Sequence, residues 1–237
     1  MGNTILFDLD GTLLPFQQDE FIRTYFKVLI RRLSPMGYDG EKLTAALWKG
    51  VDAMVRNDGS MTNRQLFWDV FVREFGVQSL ALESILDDFY AREFDSVRTV
   101  LREDVDRSGL IHSLREKSYT VVLATNPVFP AVAVETRLHW ASLTPADFDY
   151  VTTYENCRRS KPDPGYFQDI LARIGKRADE CMMIGNNPVD DMSAQTIGMK
   201  VCLVTDYLEN PGNLPIDAYP CGTFREVEAN LLALPKL

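Results

Sequence analysis

The sequence of 237 residues contains no apolar run of the ~18 residues that are needed to span a membrane. It is also short of positive charge, with 25 lysine and arginine residues against 34 aspartate and glutamate residues and a formal net charge of −9. Nucleic acids and anionic membranes attract basic surfaces, so this balance argues against both as partners. The sequence leaves the oligomeric state open.

Cysteine and histidine are also scarce, with four and two residues. The cysteines form no close pair and have no metal-ligand spacing, and neither His112 nor His139 has a partner at a useful spacing. Neither a disulfide scaffold nor a Cys/His metal site is expected. The sequence enters an apolar segment without the basic region and apolar core of a secretion signal. We expect free, mostly buried thiols and a reducing, cytoplasmic location.

One stretch near the start concentrates the chemically informative residues. Residues 4–7, Thr-Ile-Leu-Phe, are typical of a buried parallel strand, and Asp8, Asp10, Gly11 and Thr12 follow. If the strand ends near Asp8, both carboxylates converge at its carboxyl end, where open α/β sheets bind ligands. Carboxylates this close need a cation between them or a proton on one of them. The pair predicts a divalent metal site or an acid–nucleophile pair; the alternative is a solvated turn.

The next ninety residues have helical periodicity. Apolar residues recur at helical spacing over about 19–33, 41–55, 62–75 and 82–94. A run of helices without strands does not belong inside a wound α/β sheet, so residues 16–104 are predicted to form an inserted helical bundle, called the helical insert below. Its aromatic residues fall at helical spacing and are interpreted as bundle core.

Alternation of strands and helices returns after residue 104. It predicts a parallel sheet, because strands that alternate with helices pair in parallel. Residues 1–15 and 105–237 are therefore predicted to form one α/β core. The strands are expected at about 119–124, 148–153, 181–184 and 200–204, and the helices near 110–114, 130–140 and 167–174, before 196, and near 227–234.

Polar residues follow several of these strands. Thr125 ends the second strand, and its hydroxyl and the next backbone N–H could bind a phosphoryl oxygen. Lys161 lies in residues 160–164, Ser-Lys-Pro-Asp-Pro, where two prolines fix the backbone around it. Residues 185–191, Gly-Asn-Asn-Pro-Val-Asp-Asp, follow another strand. Taken alone, Thr125 and Lys161 are more simply an ordinary strand-end threonine and a surface charge.

In this order, the four segments resemble the four motifs of the haloacid dehalogenase superfamily, in the form that its phosphatase branch uses. The resemblance implies a Rossmann-like parallel sheet core, with the helical insert as an α-helical cap that shapes the substrate pocket. It implies that Asp8 is the nucleophile, that Asp10 is the general acid/base and that Lys161 neutralises the nucleophile and the phosphate. The residues expected to contact substrate are Thr125, Asn126 and Thr12.

The fourth segment departs from the superfamily pattern. The usual acid after the glycine is replaced by Asn186 and Asn187, whereas Asp191 holds the distal acidic position and Asp190 lies beside it. The resemblance implies Mg²⁺ as the cofactor, with weaker affinity because asparagine brings no charge. The predicted ligands are Asp8, the carbonyl of Asp10 and Asp191, assisted by Asp190, Asn186 or Asn187.

The predicted function is Mg²⁺-dependent hydrolysis of a small phosphorylated metabolite, a phosphomonoester, through an aspartyl-phosphate intermediate. Three alternatives remain open. A phosphomutase would use the same motifs. A dehalogenase is disfavoured by Asp10, since enzymes that cleave carbon–halogen bonds usually lack this acid. A phospho-ligand-binding regulatory protein with reduced or lost turnover would explain Asn186 and Asn187.

Overall fold

The computed structural model describes residues 2–237, and its centre is a six-stranded sheet in which every pair of neighbouring strands is parallel. The strands are β1 (Thr4–Phe7), β2 (Thr120–Leu123), β3 (Tyr150–Val151), β4 (Cys181–Gly185), β5 (Lys200–Val204) and β6 (Cys221–Gly222). Their order is β3-β2-β1-β4-β5-β6, the doubly wound Rossmann order. The predicted α/β class with a Rossmann-like parallel sheet is therefore confirmed.

Strand β1 lies at the middle of this sheet, and all four of its residues are buried. Phe7, its last residue, lies beside Leu123 of β2 and Ile184 of β4. The backbone N–H of Asp8 still donates to the Ile184 carbonyl at 2.8 Å, so Asp8 is fixed at the carboxyl edge of the sheet. The strand order reverses around β1, and this is the place where open α/β sheets bind their ligands.

Within residues 2–237, eight α-helices surround the sheet or lie in the insert. In the insert, α1 has acids in its first turn and arginines in its last, which suits the helix dipole. Thr62 and Gln65 form a capping box that starts α3, and Gly76 ends it. The helices are α1 (Gln18–Leu33), α2 (Gly40–Val55), α3 (Asn63–Phe75), α4 (Leu82–Arg92), α5 (Ser108–Glu116), α6 (Ala131–His139), α7 (Pro164–Ile174) and α8 (Phe224–Leu232).

Helices α1 to α4 all fall between β1 and β2 in the chain, within the helical insert. One cluster of contacting buried side chains nevertheless runs from Phe7 and Val121 of the sheet to Leu47 and Phe89 of the insert. The insert is therefore packed onto the sheet through apolar contacts. The division into a core of residues 1–15 and 105–237 and a cap of residues 16–104 stays a prediction.

Three local predictions differ from the structure, and one strand was not predicted. The fourth helix ends at Arg92, and a 3₁₀-helix over Phe94–Val100 follows it. The strand predicted at 148–153 is only Tyr150–Val151, because it pairs with just the last two residues of β2. The helix predicted before residue 196 is a 3₁₀-helix, Met192–Ile197. Strand β6 was not predicted, since two residues carry no periodicity.

The cysteines are free: Cys157 and Cys181 are buried, Cys202 is half-buried and Cys221 is exposed. Over residues 2–237, no helix combines the length and the apolarity that crossing a membrane requires.

Candidate active site

A buried lysine joins two acidic side chains at the carboxyl edge of the sheet. The Nζ of Lys161 donates to Asp8 Oδ1 at 2.8 Å and to Asp191 Oδ1 at 2.6 Å, and Lys161 is only 1% exposed. Burial raises the pKa of Asp8, and the Lys161 ammonium beside it works in the opposite direction. Burial alone would lower the pKa of Lys161, but Asp191 and Asp8 outweigh it and raise that pKa above its usual value.

Lys161 reaches this position because its loop is bonded to the loop that follows β2. The backbone N–H of Lys161 donates to Asn126 Oδ1 at 3.2 Å, and Asp163 then caps α7 by accepting from the Gly165 N–H. Thr125, two residues after β2, is held through its main-chain carbonyl, which accepts from the hydroxyl of Tyr166 at 2.8 Å. The second and third predicted motifs are therefore in direct contact.

Asp10 is paired with a buried arginine. Its Oδ2 accepts a hydrogen bond from Arg137 of α6, which is fully buried and stacks its guanidinium over the Phe129 ring, 4.4 Å from the centroid. Burial raises the pKa of Asp10, and the Arg137 cation opposes this. Within the described residues, Asp10 Oδ1 and Arg137 Nη2 are buried without a hydrogen-bond partner.

The loop after β4 supplies Asp191, whose Oδ2 accepts from the backbone N–H of Asn187 at 2.9 Å. Gly185 is required beneath it, because a Cβ at that position would overlap the Asp191 carboxylate. The side-chain oxygen of Asn187 accepts two backbone N–H groups, those of Val189 and Asp190. Asn187 therefore shapes the loop that carries the two acids.

The side chain of Asn186 is hydrogen-bonded to the first motif. Its Nδ2 donates to the Tyr207 carbonyl at 2.7 Å, and its Oδ1 accepts from the Thr12 hydroxyl at 3.2 Å. Gly11 has a φ of 78° and lies so close that a Cβ there would overlap the Asn186 amide. Thr12 is buried and lies outside the cavity described next, so this structure gives its hydroxyl an internal partner instead of the predicted contact with substrate.

Nine of the ten predicted site residues line one cavity of about 410 Å³, a size typical of small-molecule sites. The part of its lining that the catalytic and metal candidates form is called the floor below, and residues of helices α1 and α2 also line the cavity. The nine are Asp8, Asp10, Thr125, Asn126, Lys161, Asn186, Asn187, Asp190 and Asp191.

The family model of the haloacid dehalogenase-like hydrolases matches residues 3–198, most of the chain and all four motifs. This chain is a haloacid dehalogenase-like hydrolase. The match covers β1, the helical insert and the strands up to β4, so it includes every element that builds the cavity floor.

Known relatives of this hydrolase include the pyrophosphatase PpaX of Bacillus cereus, which is 26% identical over 92% of this chain and 88% of the relative. A phosphatase of the same family from Thermococcus onnurineus has a similar fold, with a TM-score of 0.59 and 20% identity over all of both chains. The hydrolase YfnB of Bacillus subtilis, solved with magnesium bound, gives the same TM-score and identity over 97% of this chain and 98% of its own.

The donor atoms on the cavity floor suit a hard divalent cation, although they are not grouped as a ready-made cluster. In the described part of this hydrolase, no three His, Cys, Asp or Glu side chains are arranged to hold a metal ion. Burial nevertheless raises the pKa of Asp8, Asp10, Asp190 and Glu209. A surplus of buried carboxylates with raised pKa values is stabilised by a cation with oxygen preference.

Two residues of the site were missed by the sequence reasoning. Glu209, in the loop after β5, lines the cavity, and its backbone N–H donates to the Asn186 carbonyl at 3.0 Å. Arg137 carried a signal that could have been used: it is a charged residue on the same face of α6 as the buried Ala133, Val134 and Leu138. An arginine on an apolar helix face requires a buried acid as partner.

Proposed function

We propose that this chain is a Mg²⁺-dependent phosphohydrolase that acts on a small phosphomonoester through an aspartyl-phosphate on Asp8. The observation that supports this proposal is the ion-paired triplet of Asp8, Lys161 and Asp191 at the floor of a cavity that Asp10 also lines. The triplet combines an acidic nucleophile with a fixed positive charge beside the position of the phosphate.

In the first step, the free oxygen of Asp8 attacks phosphorus while the bond from phosphorus to the ester oxygen breaks in line. The proton that the leaving oxygen needs comes from Asp10. Its Oδ2 is held by Arg137, so Oδ1, which has no partner, is the atom that delivers the proton. Lys161 and the Thr125 and Asn126 groups bind the phosphoryl oxygens and stabilise their charge.

In the second step, Asp10 accepts a proton from water, and the water oxygen attacks phosphorus. The bond between phosphorus and Asp8 breaks, which releases inorganic phosphate and restores the carboxylate. Lys161 lies 2.8 Å from Asp8 Oδ1 and therefore stabilises the returning negative charge. The two steps consume one water and leave each protein group as it began.

The proposed metal ligands are Asp8, the main-chain carbonyl of Asp10 and Asp191, with Asp190 as the assisting acid. Asp190 is preferred over the two asparagines because it has two carboxylate oxygens, of which Oδ2 accepts from Asn126 at 3.4 Å, whereas the single side-chain oxygen of Asn186 and of Asn187 already accepts hydrogen bonds. When bound, Mg²⁺ would supply positive charge to the phosphoryl oxygens and to the acid-rich floor.

The test is the Asp8→Asn variant, assayed for phosphate release from acetyl phosphate and from phosphomonoesters with Mg²⁺. We expect kcat/KM to fall about a thousandfold or more, because the amide does not attack phosphorus. EDTA treatment of the unmodified protein should abolish turnover, and Mg²⁺ should restore it. Asp104→Asn is the matched control, since the Asp104 side chain is 94% exposed. Turnover that survives in pure Asp8→Asn protein would refute the mechanism.

A second candidate is a phospho-ligand-binding protein with reduced or lost turnover. The specific observation in its favour is that Asn186, at the position where the family usually has an acid, is engaged with Thr12 and Tyr207. Binding of inorganic phosphate by the unmodified protein, together with no phosphate release from any ester tested, would favour this candidate over the hydrolase.

A further inference from the structure

Apart from the acids and polar residues of the floor, and Gln18, Asp19 and Glu209, the lining of the cavity is apolar and largely aromatic, and this part is called the wall below. It is formed by residues of α1 and α2 and of the loop after β2, and these residues differ sharply from the charged floor. Phe26 and Trp48 lie edge to face with their ring centroids 5.4 Å apart, and Trp48 is 46% exposed. The apolar and aromatic wall residues are Ile22, Tyr25, Phe26, Trp48, Val51, Val55, Val128 and Phe129.

The charges around the cavity are almost all negative. Among residues 2–237, Lys161 is the one cationic side chain that lines it, and Asp8 and Asp191 already pair with this ammonium. Asp19 and Glu209 bring further negative charge to the cavity, beyond the acids of the floor. A second phosphate or a carboxylate on the substrate would therefore meet repulsion and no unpaired cation of the protein.

The apolar wall continues past the main cavity. A smaller cavity of about 50 Å³ shares Tyr25, Phe26, Val51, Val128 and Phe129 with it. The Tyr25 hydroxyl is hydrogen-bonded to the Tyr90 hydroxyl at 2.6 Å, so the ring and not the hydroxyl is the surface that Tyr25 offers. An uncharged apolar ring bound against this wall would remove apolar surface from water on both sides.

We propose that the phosphomonoester cleaved here carries an uncharged, apolar and preferably aromatic leaving group, and that inorganic pyrophosphate is a poor substrate. This inference rests on the proposed function, since it specifies the ester that Asp8 would attack. It differs from what the name of the PpaX relatives describes, because among residues 2–237 no cationic side chain other than the paired Lys161 lines the cavity to bind a second phosphate.

The test compares kcat/KM for benzyl phosphate, glycerol 1-phosphate and inorganic pyrophosphate with Mg²⁺ present. The two esters both release a primary alcohol, so a difference between them reports the leaving-group pocket. We expect benzyl phosphate to be preferred roughly tenfold or more over glycerol 1-phosphate, with pyrophosphate poorer than either. Equal or reversed preference would overturn the inference.

Trp48→Ala should lower the preference for benzyl phosphate at least about threefold, because one face of the pocket is removed. Trp48 is half exposed, so the variant should remain folded. Leu80→Ala is the matched control, because Leu80 is 45% exposed on the same insert and does not line the cavity. The preference of this variant for benzyl phosphate over glycerol 1-phosphate should equal that of the unmodified protein. An unchanged preference in Trp48→Ala would contradict the proposed wall.

Acetyl phosphate separates the two proposals, because it lacks a ring to contact the wall. If it is hydrolysed in an Asp8-dependent manner while benzyl phosphate is not preferred, the leaving-group inference is wrong and the hydrolase mechanism stands. If neither acetyl phosphate nor any ester is hydrolysed by the unmodified protein, both proposals fail.

Discussion

Arg137 and Asp10 form a largely buried ion pair. The Arg137 side chain is fully buried and that of Asp10 is 14% exposed, so each charge has lost most of its hydration and depends on the other. The pair joins α6, the helix that follows β2 in the chain, to the first motif. Its strength therefore bears on stability and on the position of the proposed acid/base.

Replacing Arg137 by Met should lower the free energy of unfolding by about 3–5 kcal/mol, because Asp10 would remain buried without a partner. Urea denaturation followed by circular dichroism measures this change. Arg177→Met is the control: Arg177 pairs with Asp179 on the surface, with its side chain 76% exposed, and the loss should be much smaller because solvent screens this pair. An equal decrease in the free energy of unfolding in the two variants would show that the buried pair stabilises the fold no more than the surface pair does.

Among the single residues of the site, sequence reasoning predicted those whose motif is continuous in the chain. Asp8 and Asp10 follow an apolar strand directly, and the prolines after Lys161 marked its loop. Arg137 and Glu209 were missed because their partners are distant in sequence: Arg137 contacts Asp10 across more than a hundred residues. No local pattern specifies which acid a buried arginine meets in space.

At the scale of elements, the start of α3 joins the helical insert to two loops of the site. Asn63, its first residue, is fully buried and donates from Nδ2 to the Pro127 carbonyl at 2.9 Å and to Ser160 Oγ at 3.0 Å. Its Oδ1 accepts from Asn57 at 2.8 Å, and Ser160 donates to the Met54 carbonyl. One amide therefore ties the insert to the loops after β2 and before Lys161.

We expect Asn63→Ala to lower the free energy of unfolding by about 2–3 kcal/mol, since buried hydrogen-bonding groups would lose their partner. Thermal and urea unfolding both measure this. Asn230→Ala on α8 serves as control, because Asn230 is exposed and its loss should change stability by no more than about 0.5 kcal/mol. A change of that small size in Asn63→Ala would mean that the amide network does not hold the insert.

Long periodic elements were predicted closely and short ones were not. The spacing of Phe21, Tyr25 and Leu29 places a helix at 19–33, and α1 runs over Gln18–Leu33 with all three residues buried. The 3₁₀-helix over Phe94–Val100 and the two-residue strand β6 have no such signature, because their form depends on neighbours that pack or pair with them.

At the scale of the whole molecule, the apolar cluster shared by sheet and insert predicts a single cooperative unfolding transition. Two single-tryptophan variants, made with Trp→Phe changes, would report on different elements: Trp68 lies in α3, whereas Trp140 directly follows α6 and donates from Nε1 to Asp95 of the insert. Both should give the same urea midpoint, which should also match far-UV circular dichroism. Separate midpoints would show that the chain does not unfold in a single transition.

The central position of β1 has a consequence for how the chain is made. Thr4 pairs with Thr120 on one side and with Cys181 on the other, so this apolar strand leaves the ribosome long before either neighbour exists. Native pairing has to await most of translation, and closing such long loops is slow. The nascent chain therefore carries Asp8 at the end of an apolar, unpaired segment throughout synthesis of the insert, and such a segment is prone to aggregation until its neighbouring strands are made.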